Sequence, residues 1–136
     1  GRRGLALVAM TMAAGRQYRE GRQIIIYPEG TRTVAGATPN YKYGITHLYE
    51  ALGATVLPVA VNSGLFWPRR SWLLFPGTIV MEFLPTIEPG LGKERFAKEL
   101  ENRIGTATAA LIAEAATRAD PPPLARKLAG KAVADA

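Results

Sequence analysis

The chain has 136 residues, 48% of them hydrophobic, with one histidine and no cysteine. This suits one small folded domain and excludes disulfides, thiolate metal sites and multi-histidine metal sites. Lys and Arg outnumber Asp and Glu by 17 to 11, and residues 1–75, with nine basic and three acidic side chains, hold the surplus, which favours phosphate-bearing partners such as lipids, nucleic acids or cofactors.

Apolar spacing predicts helices that alternate with short strands. Leu5, Val8 and Met12 recur at helical spacing, and five apolar positions line one face of the last helix. These five are Phe96, Leu100, Ile104, Leu111 and Ala115. The predicted helices are residues 4–20, 45–52 and 93–118. The predicted strands are residues 23–27, 55–61 and 78–83, with residues 84–87 as a broken extension.

Alternating strands and helices predict an α/β fold with a mostly parallel sheet flanked by helices. Pro58 lies inside the second strand and places it at an edge or a bulge. Residues 119–136 are predicted to be a Pro-rich break followed by a flexible tail.

The first residues predict a fragment or a processed product, because the chain starts with glycine. The segment GRRGLALVAMTMAAG has the arginines, apolar run and small residues of a signal peptide, but that interpretation is disfavoured. Its apolar stretch, residues 5–14, is also too short for a membrane span, which needs ~20 residues. Any membrane contact of this chain is therefore expected to be peripheral.

Residues 24–33, IIIYPEGTRT, carry the most informative motif. A buried strand would deliver a tight polar turn to the sheet edge, where α/β folds usually bind ligands. Gly30 allows close approach, Thr31 adds a hydroxyl, and Arg32 offers a planar set of donors that suits phosphate. The alternative is a solvated loop in which Glu29 and Arg32 pair weakly.

Tyr-Pro-Glu-Gly-Thr-Arg after a β-branched strand resembles the third conserved block of glycerolipid acyltransferases. Lys42 and Gly44 match that family's Lys-x-Gly, and Val56–Ala60 resembles its fourth block. Residues 62–87 are similar to bacterial lysophosphatidic acid acyltransferases in particular. The resemblance covers roughly residues 1–115. It implies that residues 1–118 are the C-terminal part of an acyltransferase domain.

The resemblance implies transfer of a fatty acyl group to the sn-2 hydroxyl of 1-acylglycerol-3-phosphate, which gives phosphatidic acid. The donor would be acyl-CoA or acyl carrier protein, with no cofactor and no metal. The implied partners are lysophosphatidic acid, the acyl thioester, the membrane surface and acyl carrier protein. The implied location is the cytoplasmic face of the cell inner membrane.

By resemblance, six residues bind the substrate: Glu29, Gly30, Thr31, Arg32, Lys42 and Pro58. Arg32 would hold the acceptor's phosphate, and Glu29 would orient Arg32 or the acceptor. The family's catalytic block is a His followed five positions later by Asp. Here His47 is followed at that spacing by Leu52, so no catalytic residue is predicted in the chain and the fragment is predicted to be inactive.

Three alternatives remain open. The aromatic and basic stretch at residues 65–75 would either dip into a membrane interface or pack onto the sheet. In the second alternative, the protein is a non-catalytic phosphate- or phospholipid-binding remnant rather than part of an enzyme. A basic nucleic-acid-binding module is disfavoured, because the sequence has no known nucleic-acid motif and its aromatic residues are not interleaved with basic ones.

Overall fold

The computed structural model describes residues 2–134 and contains four helices and two short strands within them. The elements are α1 (Arg2–Arg19), α2 (Tyr43–Leu52), β1 (Val59–Val61), β2 (Met81–Phe83), α3 (Lys93–Ala116) and α4 (Pro123–Ala134). A 3-10 turn, Ser63–Leu65, follows β1. The three predicted helices are confirmed. The Leu5, Val8 and Met12 side chains of α1 are nevertheless exposed. Within the described residues, no helix is both long and apolar enough to cross a membrane.

The sheet is antiparallel, and the prediction of a mostly parallel sheet is wrong. β1 pairs with β2 in the register Val59↔Phe83 and Val61↔Met81. Parallel strands need a crossover that is usually a helix, but only the 3-10 turn lies between β1 and β2. β1 starts after Pro58, which has no N–H for the ladder, although its carbonyl accepts a hydrogen bond from Leu84 N–H.

The predicted strand at residues 23–27 is also wrong. These residues lie outside the sheet, and the Ile25 and Tyr27 side chains are 82% and 80% exposed. A β-branched run forms a strand only beside a partner, and the sheet described here contains β1 and β2 alone. The broken extension at residues 84–87 does pair, because Val56 and Ile87 exchange two backbone hydrogen bonds of 2.9 and 2.8 Å.

The first core cluster joins α2 to α3 and to the segment before α3. Tyr49 stacks on Phe96 with ring centroids 3.8 Å apart and planes 3° from parallel. The Tyr49 hydroxyl donates to Glu88 O and accepts from Leu91 N–H. Ile87 and Leu100 complete the buried cluster. Four of the five residues predicted on the α3 face are buried, and the fifth, Ile104, packs against this cluster.

The second core cluster lies where α3 and α4 meet the 3-10 turn. Its buried members are Leu65, Phe66, Ala115 and Ala125. The segment for which the sequence predicts a flexible tail therefore contains a helix, which begins at Pro123. Proline suits the first turn of a helix because the N–H it lacks would have no partner there. Small side chains on α3 and α4 allow the two helices to pack closely.

Candidate phosphate-binding site

The Glu-Gly-Thr-Arg motif begins in a tight turn. Gly30 N–H donates to Tyr27 O at 2.9 Å, which closes the turn. Gly30 has a φ of +68°, a left-handed conformation that glycine adopts without the penalty paid by other residues. Thr31 and Arg32 follow, and both are exposed. The turn thus presents polar groups to solvent from a backbone that the glycine makes accessible.

Lys42 lies against this turn. Its N–H donates to Pro28 O at 2.8 Å, and a side chain on Gly30 would come within 3.6 Å of Lys42 Cγ. Lys42 is also the N-cap residue of α2, with no side-chain cap hydrogen bond. The first N–H groups of a helix have no intrahelical partner and attract anions. The lysine and the start of α2 therefore give this edge of the turn a positive potential.

Arg32 lies over the ring of Trp67, with the guanidinium carbon 5.1 Å from the ring centroid. This is cation–π geometry, which restrains the arginine while its N–H donors stay free for an anion. The backbone N–H of Trp67 donates to Ser63 O at 2.9 Å, so the residue that carries the indole is attached to the 3-10 turn through its main chain. Trp67 is 35 positions from Arg32 in the sequence, and no local signal pairs the two.

Glu29 does not pair with Arg32. Its carboxylate accepts a hydrogen bond from the Thr33 hydroxyl, and the described residues contain no Glu29–Arg32 salt bridge within 4.0 Å. The alternative in which Glu29 and Arg32 pair with each other in a solvated loop is therefore not what the structure shows, because Glu29 is bonded to Thr33 instead. Because Glu29 is bound within its own turn, the cation of Arg32 is left to the indole ring and to solvent.

A cleft of about 220 Å³ lies beside Lys42, between the start of α2 and α3. It is lined by Tyr41, Lys42, Tyr43, Ile45, Thr46, Ala97, Leu100 and Glu101. Burial, followed by the nearby charges of Glu29 and Glu101, raises the pKa of Tyr41 to about 12. Tyr41 therefore keeps its hydroxyl proton throughout the physiological range. The cleft is smaller than the roughly 300–1,000 Å³ of most ligand pockets.

The remaining candidate residues lie in structural positions. Pro58 is fully buried, and its described hydrogen bond is the one from Leu84 N–H. His47 lies on α2 with its ring 6.3 Å from that of Tyr43. Thus the fold brings together Gly30, Lys42 and the turn, whereas Pro58 contributes to the core. No cluster of three or more metal-ligating side chains occurs in the part of the chain that is described.

The family model described as Acyltransferase matches residues 2–62 of the chain, which include the turn, Lys42 and Pro58. A 1-acyl-sn-glycerol-3-phosphate acyltransferase from Pseudomonas aeruginosa is 33% identical over 99 residues. That alignment covers 73% of this chain and 38% of the relative, so the chain spans less than half the length of that protein. No solved structure matches the chain significantly.

Proposed function

Since the chain belongs to the acyltransferase family, we propose that its residues bind the phosphate of a 1-acylglycerol-3-phosphate acceptor. The proposed reaction of the protein is transfer of a fatty acyl group from acyl-CoA or acyl carrier protein to the acceptor's sn-2 hydroxyl. The product would be phosphatidic acid. The activity for which the Pseudomonas aeruginosa relative is named and the order of the matched motifs support this assignment.

The observation that carries the proposal is that two basic residues, Arg32 and Lys42, adjoin the Gly30 turn. Lys42 contacts the turn through its backbone N–H. Arg32 follows the turn in the sequence, and its guanidinium lies over the ring of Trp67. Arginine can hold phosphate through two parallel hydrogen bonds, while lysine contributes a point charge. Glu29 is engaged by Thr33, which leaves the two cations available to the anion.

The chemical step needs a base that these residues do not supply. The acceptor hydroxyl oxygen would attack the thioester carbonyl carbon, so that a C–O bond forms and the C–S bond breaks. The hydroxyl proton would pass to a general base and then to the departing thiolate. The family's His-x-x-x-x-Asp pair has no counterpart in the 136 residues. We therefore propose that the chain on its own binds the acceptor without acylating it.

The binding proposal is tested by calorimetric titration of the 136-residue chain with a short-chain 1-acylglycerol-3-phosphate. We expect Arg32→Ala and Lys42→Ala each to weaken binding about tenfold, since a hydrogen bond to a charged group contributes about 1.5–3 kcal/mol. Arg118→Ala is the matched control, because Arg118 forms a partly exposed ion pair with Glu114. Near-normal affinity of the Arg32 variant would remove Arg32 from the site.

A non-catalytic phospholipid-binding remnant is the second candidate, since the residues present supply a candidate phosphate-binding turn and no general base. It is distinguished by assaying acyl transfer with the product of the complete open reading frame. Transfer there, together with none by the 136-residue chain, supports the enzyme. Absence of transfer from both, with binding intact, supports the remnant. Transfer by the 136-residue chain alone would overturn the proposed inactivity.

A further inference from the structure

Residues 67–74, here named the Trp72 loop, differ in burial from the apolar residues that precede them. Leu65 and Phe66 are buried in the second core cluster. In contrast, Trp72, Leu73 and Leu74 are 101%, 67% and 68% exposed. The apolar residues at the tip of the loop therefore do not pack onto the fold. Three consecutive large apolar side chains directed into water are unfavourable unless a partner covers them.

The Trp72 loop has a defined base and tip. At the base, Phe75 N–H donates to Phe66 O at 2.8 Å. Gly77 lies so close to the Phe66 ring that a Cβ there would come within 2.1 Å of it. At the tip, Ser71 N–H donates to Pro68 O, and Leu73 N–H donates to the Ser71 hydroxyl at 3.0 Å. The exposed apolar residues are thus held at a closed loop, which lowers the entropy cost of docking.

Two arginines precede the apolar tip in the sequence. Arg69 and Arg70 precede Trp72, both are exposed, and the described ion pairs include neither of them. The loop contains no acidic residue. Arg70 has a φ of +59° and is the only non-glycine residue with positive φ in the described chain. Glycine or asparagine is usual at such a position, so a long cationic side chain is present there despite a conformational cost.

We propose that the Trp72 loop docks onto an anionic phospholipid bilayer. Trp72, Leu73 and Leu74 enter the interfacial region, and Arg69 and Arg70 contact headgroup phosphates. The argument is charge complementarity: tryptophan and arginine together suit the headgroup level, and basic side chains are attracted to anionic lipid. Docking would be peripheral, because the loop is far too short to span the bilayer.

The surface goes beyond the proposed reaction, and its test needs neither acyl donor nor acceptor. Binding of the 136-residue chain is measured by co-sedimentation with phosphatidylcholine vesicles that contain about 30% phosphatidylglycerol, an anionic lipid that attracts basic segments. The test variant replaces Trp72, Leu73 and Leu74 with serine. We expect it to reduce vesicle affinity more than about tenfold, because interfacial binding scales with buried apolar area.

The matched control replaces three β2-side residues, Ile79, Met81 and Phe83, with serine. They are 55%, 59% and 64% exposed, so this variant removes exposed apolar surface from another part of the protein. Retained binding by the control supports the loop. Equal losses in both variants would indicate non-specific adsorption and overturn the proposal. So would unchanged binding of the loop variant, or self-association of the chain through the loop without vesicle binding.

Arg70→Gly separates charge from folding. Glycine accepts the φ of +59° without strain, so the melting temperature should stay the same or rise. Vesicle affinity should fall about fivefold, the effect of one basic residue near an anionic surface, and the loss should disappear with pure phosphatidylcholine. Equal affinity of Arg70→Gly for anionic vesicles would overturn the headgroup contact. In a Trp67→Phe background, Trp72 emission should shift to the blue on vesicle addition, and an unshifted spectrum would exclude its insertion.

Discussion

Replacing Trp67 by leucine should weaken the binding of phosphate-bearing acceptor without unfolding the protein. The guanidinium carbon of Arg32 lies 5.1 Å from the ring centroid, within the distance at which cation–π attraction operates. Trp67 is 55% exposed, so the interaction belongs to the weaker, solvated class of about 0.5–1 kcal/mol. Because about 1.4 kcal/mol corresponds to tenfold, the expected loss of affinity is about two- to fivefold.

The assay is calorimetric titration with a short-chain 1-acylglycerol-3-phosphate kept below its aggregation concentration, so that vesicle docking does not contribute. Trp67→Phe is the conservative control, since phenylalanine keeps an aromatic face and should recover part of the affinity. The double variant Arg32→Ala/Trp67→Leu should bind no more weakly than Arg32→Ala alone. Trp67 acts only through the arginine, so the two effects are not additive.

Two results would refute this reasoning. If Trp67→Leu bound as tightly as the unaltered chain while Arg32→Ala lost affinity, the indole would not position the arginine. If the loss of binding free energy in the double variant equalled the sum of the two single losses, Trp67 would affect the ligand independently of Arg32. Thermal melts of all variants check that the fold is retained.

Three further predictions concern the turn, the cleft and the core. Gly30→Ala should lower the free energy of unfolding by about 1–2 kcal/mol, the cost of left-handed φ for a residue with a Cβ. Urea titration measures this, and an unchanged midpoint would show that the turn relaxes. In the folded state the pKa of Tyr41 is about 12, whereas its ordinary value is 10.0. The unfolded chain therefore releases that proton first, and stability should fall between pH 10 and 12. Tyr41→Phe should lack this part of the fall in melting temperature, and a superimposable profile would contradict the assignment. Tyr49→Phe keeps the stacked ring but removes a hydroxyl that bonds two backbone groups. It should cost about 1–3 kcal/mol in urea unfolding, and a loss below about 0.5 kcal/mol would show that water replaces both bonds.

The helices could be predicted from the sequence because their signals are local. Residues 93–118 carry an apolar face at helical spacing, and the observed α3 is Lys93–Ala116 with four of the five named residues buried. The start of α2 was missed by two residues, because Lys42 occupies the cap position without a side-chain cap hydrogen bond. A serine or aspartate there would have marked the helix start.

Strand pairing could not be predicted in the same way, because it depends on a distant partner. The run Ile24–Ile26 has high β-propensity, yet its residues remain outside the described sheet. The orientation of β1 against β2 is set by the loop between them, which is too irregular for a local rule. The candidate site likewise contains residues that a local motif identifies and one residue that only the fold brings there. Gly30, Arg32 and Lys42 could be found from their motif, whereas Trp67 reaches Arg32 only through the fold.

The position of Trp67 links the two proposed binding surfaces. It is anchored to the 3-10 turn and is the first residue of the Trp72 loop. Its ring also supports Arg32, which follows the Gly30 turn. A bilayer that receives the loop would therefore lie near the arginine proposed to hold a lipid phosphate. If this link operates, vesicle docking and headgroup binding should favour each other, because docking restrains the loop that carries Trp67 and headgroup binding restrains the arginine that lies over the Trp67 ring. Trp67→Leu should then reduce that coupling, while the control with serine at Ile79, Met81 and Phe83 should leave it unchanged.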